Sequence, residues 1–279
     1  MFELPETLNI SKQINQTLLG KTIQKGSLGN SPHKFVWYNQ SHEMFESLSH
    51  HKTIATSYVL GSWLMIPLEP SYILVLGEFG GKLLYHPQGS KVPSKYHLLL
   101  SFTDGSILTE TVQLWGAIEL YEKGKELERP YIKDMKISPN HPAFTLSYFH
   151  DLVKESISHG NKSVKSLLAQ DQTIPGIGNS SLQDILFHAG LHPKFPIKAL
   201  SRNHIDKLYY SLIKTIQSIS ELGGRSEEVD LFGKAGKYER ILSSKTQGKP
   251  CPNCNTTIEK IAYLGGSCYF CPHCQKLTP

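Results

Sequence analysis

Four of the five cysteines stand in two C-x-x-C pairs, Cys251/Cys254 and Cys271/Cys274, within "CPNCNTTIEKIAYLGGSCYFCPHCQ", and sixteen residues separate the pairs. Two tight knuckles at that spacing converge four thiolates on a tetrahedron, the geometry zinc prefers. With every position taken by protein sulfur, no place is left for water or substrate. The implied single zinc ion therefore holds structure, and its binding energy is folding energy. A redox role for either pair would need a thioredoxin-like βαβ surround, which the neighbouring residues do not supply. The stretch "KIAYLGGSCYF" predicts a β-hairpin turning at Gly265–Gly266 and pinned at its base by the metal. Cys268, the odd one out, reads as a buried structural thiol. Such a hairpin serves nucleic-acid or protein contacts and does not by itself choose between them.

A second constellation lies in "QDQTIPGIGNSSLQDILFHAGLHP" (170–193), where Pro175-Gly176-Ile177-Gly178-Asn179 joins two helical patterns. Glycines at a helix start expose backbone N–H groups, and the Asn179 amide adds a donor, which together suit a phosphate. The plainer alternative is a helix-to-helix turn with Asn179 as N-cap. A third feature is "FGKAGKYERILSSKTQGKP" (232–250), with Lys234, Lys237, Arg240, Lys245 and Lys249 against the single acid Glu239. It is either an anion-binding loop or a solvated one.

These groups need a scaffold. "LPETLNISKQINQTLLG" puts Leu4, Leu8, Ile14 and Leu18 at near-helical spacing, with Pro5 early and Gly20 as a stop. From 53 to 120, short β-branched and aromatic runs alternate with turn signals, Asp104-Gly105 the strongest, and predict an antiparallel sandwich or barrel. The two prolines of "DMKISPNHPAF" (134–144) mark a linker, and helical periodicity follows it. The expected division is 1–134, helix plus sheets; 145–225, helical; 226–279, basic loop and cysteine hairpin.

"MFELPE" at the start, "IPGIGNSSLQDILFHAGLHP" in the middle and "KPCPNC…YFCPHCQ" at the end resemble the formamidopyrimidine-DNA glycosylase and endonuclease VIII family, in the family's order over nearly the whole chain. The resemblance implies an α+β fold: a leading helix with an antiparallel β-sandwich, then a helical domain with a helix-two-turns-helix motif and a zinc-bound β-hairpin. It also implies that Asn179 and Lys165 bind the phosphates flanking a base flipped from the stack. The four cysteines fall on the family's zinc ligands, Glu3 on its catalytic acid and Glu6 on a second carboxylate; the alternative for Glu3 is a first-turn acid that complements the helix dipole. Residues 231–249 correspond to a base-capping region, in which either Tyr238 would stack on a base or Lys237 and Arg240 would hold phosphate; the alternative is a loop that orders only when DNA binds. Glu78, Leu114 and Trp115 align with residues that fill the gap left by the flipped base; for Leu114 and Trp115 the alternative is sheet core at a strand end.

The chain also departs from the pattern. Family members usually carry, after the initiator methionine, a proline whose amine attacks the sugar C1′ to form a Schiff base; here residue 2 is Phe2, and retention of Met1 is expected. Gly61 stands where many members have a catalytic lysine, and Gly266 where they have a groove-inserting arginine. The expectation is a DNA-repair glycosylase that hydrolyses the N-glycosidic bond of a damaged base through Glu3, with weak or absent lyase activity. The alternative is a non-catalytic binder of damaged, abasic or distorted DNA. Both imply double-stranded DNA as partner and a monomer. A net charge of +5 agrees with an anionic partner, and 39% hydrophobic residues exclude a disordered chain. The longest apolar runs are too short to span a bilayer and no export signal is evident, so a cytoplasmic protein is expected.

Overall fold

Pro5, whose missing N–H costs nothing in a first helical turn, heads α1 (Leu4–Thr17), and the Glu6 carboxylate accepts the Glu3 backbone N–H at 3.0 Å. The buried stripe of α1 is Leu4, Ile10 and Ile14, with Leu18 just beyond; Leu8 is only half-buried. The structure, a computed structural model, describes residues 1–31, 33–77, 80–160, 162–170 and 173–277. It divides into two units, Met1–Asp134 with Ile219–Tyr238, and Met135–Ser218 with Glu239–Pro279.

In the first unit α1 is followed by β1 (Ile23–Leu28), β2 (Val36–Tyr38), α2 (His42–Ser49), β3 (Thr53–Ile54), β4 (Tyr58–Leu60), β5 (Trp63–Glu69), β6 (Tyr72–Gly77), β7 (Gly81–His86), β8 (Leu98–Phe102), β9 (Ile107–Val112), β10 (Gly116–Glu122) and a short α3 (Pro130–Lys133). The strands form a sandwich of two sheets, ordered β1-β8-β9-β7 and β2-β10-β6-β5-β3, with β4 also paired to β5. One pairing departs from the antiparallel expectation. β2 runs parallel to β10, with Val36 opposite Gly116, because the chain reaches β2 across the sheet and not through a hairpin. The runs "WLMIP" and "ILVL" are apolar without alternation because β5 and β6 lie inside their sheet and bury both faces.

The second unit holds α4 (Leu146–Ser158), α5 (Asn179–Ala189), most of α6 (Arg202–Glu221) and the hairpin β11 (Glu259–Tyr263)/β12 (Gly266–Phe270). Tyr263 pairs with Gly266, so the hairpin turns at Leu264–Gly265, one residue earlier than the glycine pair predicts. Both turn residues are left-handed (φ 49° and 72°), as a two-residue hairpin loop requires, and Leu264 bears the strain. Among the described residues no helix is long and apolar enough to cross a membrane.

One acid sits badly in the sandwich. Glu110 on β9 is fully buried, neither carboxylate oxygen has a hydrogen-bond partner among the described residues, and desolvation drives its pKa well above the ordinary 4.5. The folded state therefore keeps a proton that the unfolded chain releases near pH 4.5. The resulting stability is complete below that pH and is lost as pH rises toward the folded pKa. Glu110→Gln, uncharged at every pH, is expected to flatten this slope and raise the melting midpoint at pH 8 by a few degrees, at about 2–4 °C per kcal/mol, while changing little at pH 4. Thermal scans of both proteins at the two pH values check it.

Candidate active site, phosphate-binding turn and metal centre

In the first unit, Glu3, Glu6 and Arg225 are 4, 3 and 2% exposed and form one buried cluster. Arg225 follows the last turn of α6, where Gly223 and Gly224 take positive φ; a Cβ on Gly224 would press within 3.3 Å of the Glu6 side chain. That close approach delivers the guanidinium to the start of α1. Arg225 Nε donates to Glu6 Oε1 at 2.7 Å and Nη2 to Glu6 Oε2 at 2.9 Å, a two-pronged pair completed by the Arg225 backbone N–H at 3.1 Å from Oε1. Nη2 also donates to the Met1 carbonyl at 2.9 Å, and Nη1 lies 3.5 Å from Glu3 Oε1. Burial by itself would lower the guanidinium's pKa. The charges of Glu3 and Glu6 and the Glu6 hydrogen bonds outweigh that, so it stands above its ordinary value.

Around this cluster the N-terminal residues are fixed. The Met1 α-ammonium pairs with Glu228 at 2.6 Å, and the Phe2 side chain is buried. Gly61 occupies the two-residue loop between β4 and β5 with φ +59°, a conformation that a lysine adopts only under strain. No side chain stands there. Asn9 and Gln13 of α1 bond to Gly223 and Asp230, so residues 219–238 lie along this helix.

Leu114 and Trp115 lie in the β9–β10 loop, which is tied to Gly80 by the Leu114 N–H at 3.0 Å and by the Gly80 N–H to the Trp115 carbonyl at 2.9 Å. They are 58 and 43% exposed and are therefore not sheet core. Glu78 lies outside the described residues. In the basic segment the Lys237 side chain is exposed and Arg240 half-exposed, whereas Tyr238 is buried, with its N–H on the Gly224 carbonyl. Tyr238 thus packs inside the fold and does not present its ring for stacking.

In the second unit, the N-cap of α5 is Gly178, and Asn179 is its first helical residue. The N-cap alternative for Asn179 therefore fails, and its amide is turned elsewhere: Nδ2 donates to the Ser267 carbonyl at 3.0 Å. Lys165 is almost wholly buried and its Nζ donates to the Tyr263 carbonyl at 2.5 Å. The two residues singled out by sequence thus meet the same hairpin on the two sides of its turn. Gln183, one helical turn beyond Asn179, donates to the Ser267 carbonyl at 3.1 Å and accepts the Tyr269 N–H at 3.0 Å. Gly266 lies against Asn179, its Cβ position 3.5 Å from that side chain.

The four cysteine sulfurs lie within 4.8 Å of one another. A tetrahedral zinc with bonds of about 2.3 Å needs sulfur pairs about 3.8 Å apart. The Cys251–Cys274, Cys254–Cys271 and Cys254–Cys274 pairs are 3.8, 3.4 and 3.4 Å apart, so the donor set fits one structural zinc. Cys251 and Cys271 also pack with Phe187, Leu242 and Ile258, and Asp184 of α5 accepts the Ile241 and Leu242 N–H groups at 3.0 and 2.9 Å. Arg225 and Gln183 were not singled out by the sequence. Gln183 shares a helix face with Asn179, a signal that was available; Arg225 is a lone arginine after two glycines and gives none.

Comparison with known proteins agrees with this geometry. The family model described as the formamidopyrimidine-DNA glycosylase H2TH domain matches residues 135–230, and that described as a zinc finger found in FPG and IleRS matches 248–277. Curated relatives include the formamidopyrimidine-DNA glycosylases of Bacillus cereus (26% identical over 279 residues, 99% of each chain) and Shouchella clausii (29% over 286 residues, 99% of each chain). Among solved structures, Lactococcus lactis Fpg bound to abasic-site DNA superposes with a TM-score of 0.85 at 24% identity, covering 98% of this chain and 99% of that one. The same protein with DNA containing Fapy-dG gives 0.83 at 25% identity, covering 98 and 100%.

Removal of the zinc should release the hairpin, and with it the carbonyls that hold Lys165 and Asn179. Strong chelation, verified by metal analysis, is expected to abolish hydrogen-exchange protection across 259–270 and to weaken DNA binding at least tenfold, about the effect of losing one charge-assisted contact. Retained protection in zinc-free protein would count against a structural metal.

Proposed function

Because the chain belongs to the formamidopyrimidine-DNA glycosylase family, we propose that it excises a damaged base from double-stranded DNA by hydrolysis alone. The observation that carries this reading is the buried cluster of Glu3, Glu6 and Arg225 beside an N-terminus that lacks the family's nucleophile. Phe2 has an amide nitrogen in place of an amine, and the free amine, on Met1, is committed to Glu228. Consecutive Cα atoms are about 3.8 Å apart, and reacting atoms must come within about 3–3.5 Å, so a one-residue offset is enough to spoil attack on C1′. Gly61 offers no lysine in compensation.

A carboxylate suffices for hydrolysis. In this reading Asn179, Lys165, Lys237 and Arg240 engage phosphates, Leu114 and Trp115 enter the gap left by the flipped base, and Glu3 acts on water. The water oxygen bonds to C1′ as the C1′–N bond breaks. Its proton passes to the Glu3 carboxylate, the bonding pair leaves with the base, and the base takes up that proton, which returns Glu3 to the carboxylate. Arg225 and Glu6 hold Glu3 and the first turn of α1 in place. The zinc takes no part in the chemistry.

The second reading, a binder without catalysis, is favoured by one observation: Glu3 is buried against Arg225, as a purely structural pair would be. A panel of duplexes with oxidised, deaminated, alkylated or abasic sites, assayed with and without hot alkali, separates the two. Hydrolysis predicts breaks that need alkali and a loss of about 10²–10⁴-fold in Glu3→Gln. Breaks without alkali would reveal a lyase, and binding with no breaks on any substrate would establish the second reading.

A further inference from the structure

The two knuckles of the metal centre close differently. In the first, the Cys251 N–H donates to the Thr256 carbonyl at 2.8 Å, so backbone alone completes the turn. In the second, the Cys271 N–H donates to Gln275 Oε1 at 2.9 Å. The return bonds match: Asn255 N–H to the Cys251 carbonyl and Gln275 N–H to the Cys271 carbonyl, both 2.9 Å. A backbone carbonyl would therefore have served Cys271 as one serves Cys251. What a backbone carbonyl would not do is reach outward. Gln275 Nε2 donates to the Leu191 carbonyl at 3.0 Å, and with 1% of the residue exposed neither end of the amide is left to water.

Leu191 belongs to a segment that lies against the second knuckle on one side and against Lys165 on the other. A Cβ on Gly190 would stand 3.5 Å from the Cys274 carbonyl, and the His192 and Phe270 rings meet edge to face with centres 4.4 Å apart. Just beyond, the Pro193 and Phe195 carbonyls accept the Lys165 and Val164 N–H groups at 3.2 and 2.9 Å. Lys165 is thus gripped at both ends by one zinc-binding module. The Tyr263 carbonyl of the hairpin takes its ammonium, and Pro193, Leu191 and Gln275 connect its backbone to the second knuckle. Only the first grip passes through the hairpin. A lysine stem is flexible, so its ammonium stands in a fixed place only if both its tip and its backbone are held.

We infer that Gln275 is a positioning residue for the phosphate contact of Lys165: it carries the geometry of the second knuckle to the Lys165 backbone and so sets where the ammonium stands. The inference rests on the reading in which Lys165 engages a DNA phosphate. Gln275 bonds to the backbone of a cysteine and not to a sulfur, so its amide can be removed with all four thiolates in place.

Gln275→Met nearly keeps the side-chain volume and removes both side-chain bonds. In the full-length, zinc-loaded protein it should leave one zinc per chain and the hydrogen-exchange protection of 259–270 intact, while the Val164 and Lys165 amides lose protection. Binding to a duplex with a stable abasic analogue, titrated across a range of salt, should weaken about tenfold, with the slope of log affinity against log salt reduced by about 0.9, the share of one phosphate. Lys165→Ala should do the same, and the double variant should be no weaker than Lys165→Ala alone. Gln275→Asn, too short to reach Cys271 and Leu191 together, should show the same pattern at smaller amplitude. Loss of zinc or of hairpin protection in both Gln275 variants would make the glutamine a support of the metal site alone. That result, an unchanged slope, or effects of Gln275→Met and Lys165→Ala that multiply would overturn the inference while lesion excision stood. Wild-type affinity and slope in Lys165→Ala would instead remove Lys165 from the DNA contact, and this inference with it.

Discussion

Arg225 is the charge around which the N-terminal site is assembled. Taking a guanidinium and two carboxylates out of water costs several kcal/mol per ion, and only pairing of good geometry returns it. The two-pronged bond to Glu6, the bond to the Met1 carbonyl and the approach to Glu3 supply that pairing. Gly224, which tolerates a positive φ and leaves room for Glu6, makes the approach possible. A cluster of this kind is intolerant of partial loss, because removing one member strands the others as buried charges. It also ties residues remote in sequence into one piece: the end of α6 returns to the first turn of α1, and Glu228, three residues on, takes the terminal ammonium.

The second unit solves a different problem. The segment 248–277 is too short to enclose a hydrophobic core of its own, so four thiolates and a zinc take the place of one, and Phe187, Leu242 and Ile258 close over two of the sulfurs. The hairpin so fixed offers the carbonyls of Tyr263 and Ser267 to Lys165 and Asn179. Metal, hairpin and the start of α5 are thus one mechanical element, with Gln183 as its rivet.

Much of this was legible in the residues. The cysteine spacing specified the metal centre because ligand geometry is local, and the change from short β-rich runs to helical periodicity located the two kinds of structure. Contacts across long sequence separations left no such trace. Arg225 belongs to no pattern, and its hydrogen-bond partners Glu6 and Met1 lie 219 and 224 residues away. The parallel β2–β10 pair and the burial of Tyr238 likewise depend on where the chain returns, not on local propensity. The hairpin turn was displaced by one residue because two adjacent glycines both accept positive φ, and cross-strand register, not composition, decided that Leu264 and Gly265 take it.

The most direct test of the account is a double-mutant cycle on the single-turnover rate of base release, with Arg225→Lys, which loses the fork, and Glu6→Gln, which loses the charge. If Arg225 and Glu6 act as one device that positions Glu3, each change slows release and the double variant is no slower than the worse single one. Independent effects that multiply in the double variant would contradict a shared role. Release unaffected by either change would remove the cluster from the chemistry altogether.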